Sequence, residues 1–234
     1  MKMTENSNII NWENVFACSK TFQENKPAKW AFVEEFFVRD FYEKLYETYP
    51  NKDDSWSMES ADDKSNYRKW WGTDRSEHFA TDVEDTSFSE SWNKFHRYLF
   101  SDELISNFRK FSGIPVKLKQ FSLMLLTRGG YQLPHIHNVG PSTMILMLFF
   151  SKNWKKGDPG GTFLTTDETE SNMVFEPSNL DNTAIIFQDG PHAGHGVRQI
   201  TKDVERRAVQ VYLEKYSSET GWSAYNKKRE LREI

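Results

Sequence analysis

The spacing of apolar residues changes partway along the chain. Early on they recur at helical intervals. Phe37, Phe41 and Leu45 fall at successive fourth positions with Val38 and Tyr42 beside them, which predicts an amphipathic helix beginning near Phe36. That helix should stop before Pro50, because the residue preceding a proline is pushed out of the helical region. Two more helices are predicted over 90–100, with Trp92, Phe95 and Leu99 on one face, and over 102–111. Ser101 suits the N-cap of the second, acids fill its first turn, and Gly113 stands where a left-handed C-terminal residue is expected. A shorter helix around 12–16 precedes a loop that ends near Pro27. The run 29–34 is too short to decide between strand and helix by period.

From residue 116 the pattern is that of strands. Val116–Leu126 is apolar and extended in character, and 142–150 is a continuous apolar run, as expected of a strand buried on both faces. Short strands are predicted over 162–165, 173–175, 183–187, 197–200 and 208–212, with turns at Arg128-Gly129-Gly130 and across 157–161. Helices first and strands afterwards point to an α+β domain in which the helices pack on a sandwich or barrel. One domain is expected over 1–234: a helical support region 1–113, a β core 114–213 and a charged tail 214–234 that is either a terminal helix or partly disordered. Residues 51–90, rich in Asp, Ser, Glu and Thr around Trp56, Trp70, Trp71 and Phe79, read as a loop. Its rings either anchor it to the core or make it a substrate-facing lid, and the Trp70-Trp71 pair admits both readings.

Composition adds limits. The chain has 234 residues, enough for a sizeable core, and aromatics make up 15% of it, with 18 Phe and 8 Trp. A net charge of −4 gives no global attraction to nucleic acid or to an anionic membrane. No apolar run approaches the ~20 residues of a membrane span. Cys18 is the single cysteine and cannot form an internal disulfide, and the N-terminus lacks the order of a secretion signal, so a reducing, cytoplasmic setting is expected.

The candidate chemistry lies in Tyr131-Gln132-Leu133-Pro134-His135-Ile136-His137-Asn138. On an extended strand His135 and His137 point the same way and can hold one metal ion between them; as a bare pair they could equally be exposed loop residues. Downstream, His192-Ala193-Gly194-His195-Gly196-Val197 offers a third imidazole, and Glu205-Arg206-Arg207-Ala208 an anion-binding cation. Together these read as a mononuclear metal site with an anion clamp. His78 and His96 lie outside any ligand spacing and read as ordinary surface or core histidines. The chain has no Ser-His-Asp order, no Walker loop and no dinucleotide fingerprint, and Gly129-Gly130 and Gly160-Gly161 are better read as turn residues than as phosphate cradles.

The order of these pieces resembles the 2-oxoglutarate- and Fe(II)-dependent oxygenases of the prolyl-hydroxylase-like type. That family shows His-X-Asp after a glycine-containing turn, an apolar strand, a Gly-Gly before another strand, a proline, an apolar strand ending in Phe, a His-Gly-Val, and a basic residue opening the last strand. The corresponding pieces here are His135 to His137, the run from Ile145 to Phe150, Gly160-Gly161-Thr162-Phe163-Leu164, Pro177, the run from Ala184 to Phe187, His195-Gly196-Val197, and Arg206. The match covers roughly 30–213, with 51–90 unmatched. It implies a double-stranded β-helix, a jelly-roll or cupin-like barrel with N-terminal support helices. It also implies Fe(II) held by His135, His137 and His195, and 2-oxoglutarate as co-substrate with its far carboxylate on Arg206. Arg-X-Ala at 206–208 matches the family's usual Arg-X-Ser or Arg-X-Ala and so favours Arg206 over Arg207; the Gly-Val after His195 favours it over His192. A planar guanidinium suits such a carboxylate, since it can grip it with two parallel hydrogen bonds. The activity implied is hydroxylation of a small molecule or a protein side chain, with release of succinate and CO2.

The sequence departs from the family at His137, which stands where the family has Asp. An imidazole in place of a carboxylate leaves the metal one charge more positive and shifts preference towards zinc, copper or nickel. Three outcomes fit the exchange: oxygenase chemistry on three histidines, metal binding without turnover, or a carboxylate such as Asp189 entering from elsewhere. A three-histidine dioxygenase that does not use 2-oxoglutarate, and a barrel that binds metal or a carboxylated ligand without catalysis, are the alternative readings.

Overall fold

The structure, a computed structural model, describes residues 8–71, 80–137, 142–217, 219 and 221–222. Two short helices open it, α1 (Trp12–Ala17) and α2 (Ser19–Glu24), the second lying where a loop is expected from the sequence. Strand β1 (Trp30–Glu34) settles the ambiguous run as a strand. Helix α3 (Arg39–Glu47) begins three residues after Phe36, and buries Phe41, Tyr42 and Leu45. Phe37 instead precedes the helix, bridging to Ile10.

Residues 51–90 are not simply a loop. They contain a hairpin, β2 (Ser57–Ala61) and β3 (Lys64–Trp70). Apolar periodicity could not reveal β3, because its most buried positions include Asn66, Arg68 and Lys69. Trp71 leaves the hairpin to pack on Phe88 and His96, with ring centroids 4.4 and 4.1 Å away. His78 and Phe79 lie outside the described residues.

Helices α4 (Glu90–Tyr98) and α5 (Asp102–Ser112) follow. The Ser101 hydroxyl accepts a hydrogen bond from the Leu104 amide at 3.2 Å, and Gly113 ends α5 with φ of 79°, a left-handed conformation glycine adopts without steric penalty. The remaining strands are β4 (Val116–Leu126), β5 (Tyr131–His135), β6 (Thr143–Phe150), β7 (Thr162–Thr165), β8 (Met173–Phe175), β9 (Asp181–Gln188), β10 (Gly194–Val197), β11 (Arg206–Ser217) and β12 (Gly221–Trp222). Two differ from the expected bounds in ways that matter. β10 ends at Val197 rather than starting there, so His195 stands within a strand. β11 extends to Ser217 and pairs with β12, so the described part of the tail continues the sheet instead of forming a helix.

The strands run in the order β1-β9-β6-β11-β4-β3-β5-β10-β7-β8, every pair antiparallel, with β2 added on β3. This is an α+β double-stranded β-helix with its helices stacked on one side. β6 shows how the layers form. Met144, Leu146, Leu148 and Phe150 join the core under the helices, whereas Ile145, Met147 and Phe149 face the barrel interior. Strand alternation thus buries all eight residues. β11 divides in the same way, with Val209, Val211 and Leu213 outward against the helices and Ala208 and Tyr212 inward. Among the described residues no helix is long and apolar enough to cross a membrane.

Candidate metal centre and its cation

His135 ends β5, and His195 lies directly opposite it on the neighbouring β10, itself opposite Leu164 of β7. Glycine makes that approach possible: a Cβ at Gly194 would stand 2.0 Å from the Asp167 carbonyl oxygen, and one at Gly196 would stand 2.7 Å from that of Gln132. Ring centroids are 4.9 Å apart for His135 and His137, 4.4 Å for His135 and His195, and 4.8 Å for His137 and His195. Among the described residues these three histidines form the group able to hold a metal ion, with one nitrogen from each lying within 4.8 Å of the others. His192, the rival third ligand, is exposed and outside the group, and Asp189 is outside it as well.

The tautomers favour ligation. His195 Nδ1 is 3.0 Å from the Ala193 carbonyl and His135 Nδ1 is 2.9 Å from that of Leu133, so each Nδ1 carries the hydrogen and each Nε2 keeps its lone pair. His195 Nε2 is buried and makes no hydrogen bond among the described residues. Burial, and then the neighbouring His137 and His135, hold the His195 pKa well below the usual histidine range, so the ring is neutral and needs no deprotonation before binding a cation. The Tyr212 hydroxyl lies 3.3 Å from His137 Nδ1. Burial raises the Tyr212 pKa, so that hydroxyl keeps its proton; Arg68 opposes the shift and the buried Asp189 adds to it.

Arg206 lies on the interior side of β11, fully buried. Its Nε donates to the Gly160 carbonyl at 2.9 Å and its Nη2 to Thr162 Oγ1 at 2.8 Å, while the guanidinium carbon stands 5.1 Å from the centre of the Phe149 ring. Nη1 makes no hydrogen bond among the described residues. No carboxylate there forms an ion pair with it. Burial lowers its pKa to about 10, which still leaves it charged at neutral pH. Arg207 points the other way, pairing with Glu205 at 2.6 Å and standing over the Tyr49 ring.

Sequence reasoning missed the polar chain that joins the hairpin to this site. Gln132 Nε2 donates to Asn66 at 2.9 Å, and Asn66 Nδ2 donates to Glu59 at 3.1 Å. Glu59 stands 3.1 Å from Arg68 Nε, and Arg68 Nη1 donates to Gln210 Oε1 at 2.6 Å and to Ser122 Oγ at 2.8 Å. The register Arg68 opposite Met124, an interior residue of β4, is what turns this arginine inward. The same alternation separates the tryptophan pair, Trp70 to the interior cleft and Trp71 to the helix side.

No protein-family model matches the chain, and no curated protein matches it. Solved structures do. A prolyl-4-hydroxylase from Pseudomonas putida superposes with a TM-score of 0.59 at 13% identity, covering 84% of this chain and 98% of that one. A prolyl hydroxylase from Trichoplax adhaerens, in complex with a hypoxia inducible factor oxygen degradation domain peptide fragment, gives 0.57 at 14%, covering 87% and 91%. HygX from Streptomyces hygroscopicus, with nickel, 2-oxoglutarate and hygromycin B bound, gives 0.53 at 10%, covering 87% and 86%. At these identities the likeness is one of fold.

Proposed function

We propose that the protein is a non-haem Fe(II)- and 2-oxoglutarate-dependent oxygenase of the hydroxylase type. The observation that carries this reading is Arg206. A buried cation costs several kcal/mol unless an anion or a full set of hydrogen bonds compensates it. This one has neither among the described residues, since Nη1 lacks an acceptor. A dicarboxylate reaching from a metal ion on His135, His137 and His195 into the barrel interior would supply the missing charge and acceptor.

The residues fit both groups. His195 Nε2 is a buried lone pair without a hydrogen-bond partner among the described residues, and Arg206 Nη1 is a buried donor in the same position. Ala208, two residues beyond Arg206 on the same face, is the smallest side chain of the interior β11 row and limits crowding near the clamp. When bound, the iron and co-substrate supply oxygen activation coupled to decarboxylation, giving succinate and CO2. The protein's share is positional. His135 and His195 are oriented by carbonyls, Arg206 fixes the co-substrate's far end, and the apolar interior around Met147, Phe149, Leu164 and Ile185 keeps water away. Solved structures with this fold support the reading by analogy, among them one holding nickel and 2-oxoglutarate. The substrate is taken to be a small molecule or a protein side chain.

The test is oxygen-dependent release of succinate from 2-oxoglutarate by iron-loaded protein. Succinate formed in step with oxygen uptake, and lost in Arg206→Gln, is the expected result. Oxygen uptake without succinate would replace this reading with a three-histidine dioxygenase. Stoichiometric iron without any turnover would replace it with a binding protein.

A further inference from the structure

The hairpin β2–β3, which the oxygenase resemblance leaves unmatched, builds one wall of a cleft of about 220 Å³. Glu59, Arg68 and Trp70 come from the hairpin, and Ser122, Gln210 and Tyr212 from β4 and β11. Tyr212 places the cleft beside the histidines, its hydroxyl 3.3 Å from His137. The volume is below the ~300–1,000 Å³ of ordinary ligand pockets, so the group seated in the cleft is a small one.

The charge and geometry of the wall are specific. Arg68 is 9% exposed and cannot swing freely, because Nη1 is anchored to Ser122 and Gln210. Its Nε lies 3.1 Å from Glu59 in an ion pair and makes no hydrogen bond among the described residues. Burial raises the Glu59 pKa, but Arg68, Asn66 and Lys64 outweigh that and hold the carboxyl below its usual range, so it is ionised. Lys64 is 3.8 Å from the same carboxylate. Lys64 and Arg68 together outnumber the Glu59 carboxylate, while the buried Asp189 adds a negative charge within reach of Tyr212. Tyr212 adds a hydroxyl, and Trp70, whose ring lies 5.3 Å from the Arg68 guanidinium carbon, adds an apolar face. A fixed guanidinium edge beside a hydroxyl donor matches a carboxylate, and charge-assisted hydrogen bonds of this kind are the stronger ones.

We infer that this cleft is the substrate subsite and that the substrate is a small organic acid whose carboxylate is held by Arg68. The inference rests on the oxygenase reading for its role in turnover, and on the cleft alone for its binding chemistry. Arg206 then holds the co-substrate's carboxylate in the interior and Arg68 holds the substrate's at the mouth, so the two acids are told apart by position.

The test uses benzoate as probe and benzamide, nearly the same shape without the charge, as control. Binding to the metal-free protein is followed by calorimetry at low ionic strength. Benzoate is expected to bind and benzamide at least about tenfold more weakly, with benzoate affinity falling at least about tenfold in Arg68→Gln. Glu59→Gln, which removes a competing carboxylate, should tighten benzoate binding and keeps the test open if Arg68→Gln fails to fold. Co(II) added to the wild type should then broaden the proton resonances of bound benzoate. Equal binding of benzamide, survival of affinity in Arg68→Gln, or no benzoate binding at millimolar concentration each overturns the inference. An Arg68-dependent benzoate site in a protein that takes up no Co(II) would instead strike the metal reading and leave the subsite standing.

Discussion

His96 and His195 are both buried imidazoles, one on each side of the same sheet. His96 projects from α4 into the aromatic core under the helices, where its ring lies flat against Trp71 with an interplanar angle of 7° and edge-on to Phe121. Burial pulls its pKa down to about 4. His195 is buried on the interior side, and its pKa is driven down by burial and by two further imidazoles. Burial makes either ring neutral. Only at His195 do other ligand nitrogens converge on the same point, with a cation of unmatched charge in the same interior. A depressed histidine pKa is therefore no mark of function by itself, and the company the ring keeps separates a packing residue from a ligand.

Substitutions on the two sides should fail in different ways. The largest effect is expected from Arg206→Gln, which removes the interior cation. It should weaken 2-oxoglutarate binding to the metal-loaded protein by about 3 kcal/mol or more, over a hundredfold, while Arg207→Gln changes it little. Titration of the visible absorbance of the Fe(II) protein measures both, and equal losses would erase the distinction between the two faces of β11. On the helix side, Leu148→Ala should cost roughly 2–5 kcal/mol of stability in chemical denaturation and leave metal stoichiometry intact under folding conditions. A variant that keeps its stability but loses metal would break the comparison from the other direction.

A smaller effect is expected from pH. A group whose pKa is lowered by folding binds its proton more readily when unfolded, so stability is full above the unfolded pKa and falls on acidification below it. For His96 the window runs from the ordinary value of 6.5 down to about 4, a loss of roughly 3 kcal/mol at most. His195 adds a loss of the same sign in metal-free protein. Denaturation midpoints measured across that window should flatten in His96→Phe, and saturating zinc should steepen the remaining slope, because it holds the ligand rings free of protons in the folded state only. If the slope were unchanged in His96→Phe, the aromatic core would carry none of the pH dependence.

The layered architecture was legible in the chain because it is written in apolar residues. The run 142–150 predicts a strand buried on both faces, and the structure buries both over Thr143–Phe150. Ser101 and Gly113 mark α5 because caps are local chemistry. The spacing of His135, His137 and His195, with Arg206 beyond, was readable as a candidate site because a two-residue strand period puts alternate side chains on one face. The hairpin was hidden for the opposite reason. Asn66, Arg68 and Gln210 are buried polar residues, Asn66 held by Glu59 and Gln132 and Arg68 by Gln210, and a hydrophobicity pattern carries no trace of such hydrogen bonds between distant positions. Strand β10 was displaced by three residues because Gly194, His195 and Gly196 have little strand propensity, and their extended form is imposed by the close approach of β5 and β7.

Anaerobic titration of the metal-free protein with Fe(II), followed by 2-oxoglutarate, tests the central claim most directly. One equivalent of iron should bind, the second addition should raise a visible charge-transfer band, and His195→Ala should bind neither. A wild-type protein that retains no stoichiometric iron, or one whose iron is unaffected by loss of His195, would contradict the account.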